Sequence, residues 1–130
     1  MQLAQLAATT ACVLLAALAV FQATLIAGTP LGRFAWGGQH NVLPAKLRIG
    51  SATSIVLYVL FAYVALARAG MAAPLVNQDF TDVFCWVLTA YFAVGIVLNG
   101  ISRSKPERLV MTPTVVLLTA LYLVLSLNQG

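Results

Sequence analysis

Charge is scarce in this sequence: Asp, Glu, Lys and Arg make up 8% of its 130 residues, against about 25% in soluble domains. Only three residues are acidic: Asp79, Asp82 and Glu107. There is one histidine, His40, and there are two cysteines, Cys12 and Cys85. Each scarcity excludes something. A lone histidine without companion ligands does not make a zinc site, so no metal and no other cofactor is expected. Two distant cysteines with no CxxC exclude a paired redox motif, and in their apolar surroundings they are expected to be small packing residues. The net charge is +4, but no basic arm or basic helix with interleaved aromatics is present, so nucleic acid is not an expected partner.

What remains is hydrocarbon, with 62% of residues hydrophobic. Four apolar runs stand out, at about 3–27, 49–68, 84–101 and 110–127. Each approaches the roughly 20 residues that cross a bilayer as a helix, and none holds a charged residue in its interior. A backbone in lipid must satisfy its own hydrogen bonds, so such runs are helices, and the alternating polarity of a membrane barrel is missing. The expected fold is all-α: one integral membrane domain over 1–130, a four-helix bundle. The N-terminal run lacks the positive flank of a signal peptide and is expected to stay as the first span.

Lys and Arg distribute six to one. Arg33, Lys46 and Arg48 lie in the first connection and Arg103, Lys105 and Arg108 in the third, whereas the second has only Arg68 beside Asp79 and Asp82. The positive-inside bias then puts the first and third connections in the cytoplasm and both termini outside, in a bacterial inner membrane.

Each span carries a small or polar stripe. These are Ala8, Cys12, Ala16, Ala19 and Ala23; Ser51, Ser54, Tyr58, Ala62 and Ala65; Tyr91, Gly95 and Asn99; and Thr112, Thr119 and Ser126. Small residues let membrane helices approach closely, so the stripes are expected seams of the bundle. Ser54, Tyr58, Tyr91 and Asn99 are the candidates for polar packing or for a polar path. Asn99 either bonds a neighbouring helix or, with Gly100, ends its own.

In the third connection Ser104 and Glu107 have capping-box spacing: the hydroxyl accepts from the helix start and Glu107 reaches back. Pro113 is expected to kink the last helix or to restart it. In the second connection Asn77 or Asp79 is expected to cap the third helix, with Asp82 in its first turn. Phe80, Phe84 and Trp86 there form an interfacial aromatic belt.

The first connection holds GRFAWGGQHNVLP, residues 32–44. Helix connections in bundles usually take roughly two to eight residues, and this one is far longer. Leu31, Phe34, Trp36, Val42 and Leu43 make it too apolar for a solvated loop, so it should lie in the interface or dip into the membrane. Its candidate ligand or lipid-headgroup residues are Arg33, Trp36, His40, Asn41, Lys46 and Arg48, with backbone amides of the glycines adding donors for an anion. His40 is the one candidate acid or base, but it has no adjacent nucleophile. The glycines do not form a P-loop, because the Gly-Lys-Ser/Thr end is missing.

The patterns GxPLGxxAWGGxxxxLPxxLR and SRSKPERLVMTP resemble those of uncharacterised small four-span bacterial membrane proteins. That resemblance implies the bundle and no activity. Small multidrug-resistance transporters would need an acid in the first helix, and disulfide-forming quinone reductases a CxxC; neither is present. Intramembrane ionisable residues mark transport paths, and their absence favours a small non-enzymatic protein. It would be an accessory subunit packed against a larger membrane protein or its own copies, or one interacting with the bilayer and its anionic headgroups. The alternatives are an oligomeric passive channel or carrier for a small neutral or anionic solute, and a lipid-headgroup enzyme using His40.

Overall fold

The computed structural model describes residues 2–128 and is all-helical among them, with four long helices: α1 (Leu3–Ile26), α2 (Ala45–Arg68), α3 (Gln78–Gly100) and α4 (Lys105–Leu127). All four are long and apolar enough to span a membrane. Only 22–28% of each span is buried inside the chain. The rest faces outward with side chains such as Val13, Val56, Val83 and Leu117, which suits a hydrocarbon solvent.

Helices α2, α3 and α4 begin four to six residues before the apolar runs expected from the sequence. The added turns are polar and carry the caps: Pro44 precedes α2, the Asn77 side chain accepts from the Phe80 amide, and Ser104 accepts from the Glu107 amide. Hydropathy sees only the part of a helix that lies in lipid. Asp79, not Asp82, occupies the first turn of α3. Asp82 instead sits 3.3 Å from the Arg68 guanidinium. Helix α4 runs through Pro113 without restarting. Gly100 belongs to α3 and is not a left-handed cap; Ile101 follows it at φ −99°.

Helix α1 pairs with α2 and α3 with α4, and α1 also lies along α4. Helices α2 and α3 touch much less. Lipid tails are as apolar as leucine, so this packing depends on close approach and buried hydrogen bonds. The face of α1 that packs is Ala4, Ala7, Ala8, Ala11 and Leu15; Ala16 and Ala23 of the expected stripe are exposed. In α2, Ser51 and Ala65 are buried as the stripe predicts. An aromatic cluster fills the centre, with Phe61 and Phe92 edge to face at 5.7 Å and Phe92 5.1 Å from Tyr122. The Tyr122 hydroxyl, fully buried, donates to the Phe61 carbonyl at 2.5 Å.

At the end of the bundle away from the long connection, Arg68 joins three helices. It faces Asp82 of α3 and donates to the carbonyls of Ser126 and Asn128 at the end of α4. Those carbonyls lack partners within the helix, and a cation there also meets the negative end of the dipole. Nearby, the Ser126 hydroxyl donates to the Cys85 sulfur at 3.2 Å, and Thr89 Oγ1 lies 3.1 Å from Ser126 Oγ. Cys85 is therefore a packing residue.

Candidate ligand cavity under the first connection

The first connection folds back over its own end of the bundle. It makes two short 3₁₀ turns, Gly32–Phe34 and Trp36–Gly38. Leu25, Ala35 and Leu43 bury together beneath it. The Gly32 amide donates to the Asn41 carbonyl at 2.8 Å and closes the loop on itself. Gly32 must be glycine, since a Cβ there would run into the His40 carbonyl.

Two further ties fix the loop on the helices. Trp36 adopts φ +55°, a left-handed conformation that costs an ordinary residue roughly 1–2 kcal/mol. Its indole N–H donates to buried Ser51 at 3.3 Å, and the ring lies over Gly50, where a Cβ would come within 2.8 Å of it. On the other side, the Gly37 amide donates to Glu107 Oε2 at 3.2 Å, and Ser104 Oγ donates to the Arg33 carbonyl. Gly38, at φ +73°, packs on Ser104. Glu107 therefore does not complete the expected capping box. The Ser104 amide bonds Ser102 instead, and the Glu107 carboxyl is given to the loop.

Beneath this loop lies a cavity of about 540 Å³, within the range of small-molecule sites. All four helices contribute: Phe21 and Gln22 from α1, Ser54 and Tyr58 from α2, Tyr91, Gly95 and Asn99 from α3, and Glu107, Met111 and Thr114 from α4. Trp36 and Gly37 form its roof. Its floor is the buried pair Phe92 and Leu118, so it stops at the aromatic core. Tyr91, Val94 and Leu98 line it while being more than half exposed. The cavity therefore also opens sideways on α3.

The structure brings Trp36, Ser54, Tyr58, Tyr91 and Asn99 together around this one cavity. Asn99 neither crosses to another helix nor caps its own. Its amide donates back to the Gly95 carbonyl at 2.8 Å. The other candidates lie elsewhere. Arg33 stacks on Phe34 with 4.9 Å between the guanidinium carbon and the ring centre, and Arg48 donates to the Leu43 carbonyl at 2.8 Å. Lys46, His40 and Asn41 are exposed and outside the lining.

Of the polar lining residues that the sequence did not single out as site candidates, Gln22 and Glu107 are the buried ones. Gln22 is 8% exposed, with Nε2 3.5 Å from the Tyr58 hydroxyl and Oε1 buried without a partner. Glu107 is 7% exposed. Gln22 offered a signal, as an amide inside a run of apolar residues. Glu107 offered none, because its spacing from Ser104 already explained it. No metal-holding cluster occurs among the described residues. No family model, curated protein or solved structure matches the chain.

Proposed function

We propose that this protein is a small non-enzymatic membrane protein that draws a lipid-like amphiphile out of the bilayer into the cavity beneath residues 32–38. The observation that carries this is the cavity's construction. It opens sideways on α3 and is lined mainly by aromatic and aliphatic side chains, with Ser54, Tyr58 and Thr114 among them and Asn99, Ser102 and Glu107 toward the loop. A molecule with a hydrocarbon tail and a polar head matches that gradient. A lateral opening gives entry from lipid without passage through water.

The orientation proposed is the one with Arg33, Lys46, Arg48, Arg103, Lys105 and Arg108 in the cytoplasm of a bacterial inner membrane, as the positive-inside bias favours. Those six side chains would sit at headgroup level, where basic residues attract anionic lipids at about 1 kcal/mol each. A through-going channel in one chain is disfavoured by the packed floor at Phe92 and Leu118. An enzyme acting through His40 is disfavoured by the exposure of that residue outside the cavity.

The test is photo-crosslinking in proteoliposomes with a lipid carrying a diazirine in its acyl chain. Adducts should map to Phe21, Tyr91, Gly95 and Met111, and Ser54→Phe, which fills the cavity, should remove them. Adducts confined to outward residues such as Val56 and Val83, and unchanged by Ser54→Phe, would refute the proposal.

A further inference from the structure

The chemistry of the head is written in Glu107. Glu107 is the one ionisable acid in the cavity wall, and the basic residues of this end are not among the lining. Among the described residues the ion pair is Arg68–Asp82, at the opposite end of the bundle, and no cation lies within salt-bridge distance of Glu107. A carboxyl can accept about four hydrogen bonds; this one receives a single N–H, from Gly37, on Oε2. Gln22 lines the same cavity, but its Oε1 is itself buried and does not open onto it, which leaves Glu107 as the acceptor there.

We infer that the cavity selects an amphiphile with a primary ammonium head, its charge and N–H donors taken by the Glu107 carboxyl and its hydrocarbon by the aromatic wall. This deepens the proposed function and rests on it. A buried carboxyl with one N–H donor and no cation is costly. A ligand that supplies N–H donors and a positive charge relieves that cost. A neutral alcohol supplies one donor and no charge. A quaternary ammonium supplies charge and no donor. Phosphate or carboxylate heads find cations only outside the lining, and inside they meet Glu107. Both a free alkylamine and an aminophospholipid carry the required group.

The test uses the full chain with Trp86→Phe, so that Trp36 in the cavity roof is the fluorophore, in phosphatidylcholine nanodiscs. Dodecylamine, dodecyltrimethylammonium, dodecanol and lysophosphatidylethanolamine are titrated in turn. The expected result is a saturable change in Trp36 emission with dodecylamine at a concentration at least about tenfold below those for dodecanol and the quaternary ion, the scale of a hydrogen bond to a charged group. Glu107→Gln, which keeps an oxygen for the Gly37 amide, should abolish that preference. Tighter binding of lysophosphatidylethanolamine than of dodecylamine would identify the source as a membrane aminolipid, and weaker binding a free amine; both uphold the ammonium. Equal binding of amine and alcohol, with Ser54→Phe blocking both, overturns the ammonium inference while the cavity remains an amphiphile site. No saturable binding of any probe overturns both.

Discussion

The indole N–H of Trp36 donates to the hydroxyl of Ser51 at 3.3 Å, and Gly50 one residue earlier leaves the space in which the ring lies. This pair decides where the long first connection sits. Trp36 holds a left-handed backbone conformation, and Ser51 is fully buried in the first half of α2. A strained aromatic is thus pinned as the roof of a cavity. Gly50→Val should push the ring out. We expect a red-shifted Trp36 emission in a Trp86→Phe background and a stability loss of about 1–3 kcal/mol, as for overpacking. An unchanged spectrum would mean that the ring is not held there.

The loop is tied to α4 as well, through Gly38 against Ser104 and through Gly37 to Glu107. Gly38→Ala meets two obstacles, a φ of +73° and the Ser104 side chain. Positive φ alone costs a residue with a Cβ roughly 1 kcal/mol. The expected outcome is faster proteolysis between Gly28 and Pro44 and faster amide exchange there, with the helices unaffected. Gly37→Ala keeps open space around its Cβ, so it should pay only the backbone cost and open the loop less.

At the other end, Arg68 and Asp82 are an unequal pair. The Arg68 side chain is 12% exposed and also serves the α4 carbonyls, whereas Asp82 is 40% exposed. Arg68→Ala should therefore cost about 2 kcal/mol or more, because it strands those carbonyls and a partner charge. Asp82→Ala should cost under about 1 kcal/mol, the scale of an exposed ion pair. Denaturant unfolding in a fixed detergent measures both, and equal losses would contradict the assignment of the α4 carbonyls as Arg68's main partners.

Tyr122→Phe removes the hydroxyl that donates to the Phe61 carbonyl in the fully buried core. The ring still packs on Phe92, so the loss should be near 1 kcal/mol. Tyr122→Ala also removes the ring and should cost about 3–5 kcal/mol. A similar cost for both variants would assign the stabilisation to the hydroxyl alone.

The four spans were legible because lipid permits only self-satisfied backbones, and long apolar runs advertise this directly. The first turns of α3 and α4 were legible through their caps, Asn77 and Ser104, although hydropathy misses them; the start of α2 at Ala45 has no side-chain cap and was not. The polar positions of α2 and α3 were also readable: Ser54, Tyr58, Tyr91 and Asn99 do converge on one cavity. Trp36 could be suspected from its odd loop, but its contact with Ser51 spans fifteen residues and turns on a left-handed φ. Glu107 could not be found, since a local capping role explained it and its partner Gly37 is seventy residues away. Local pattern predicts local bonds; it does not show which of them tertiary structure replaces.

The cavity under residues 32–38 is proposed to hold an amphiphile. Native mass spectrometry of the protein, extracted gently from its own membranes, tests it most directly. The chain should carry one retained lipid-like molecule per copy, and the Ser54→Phe variant, equally folded, should lose it. A chain that arrives bare, or adducts that persist unchanged in Ser54→Phe, would contradict the claim.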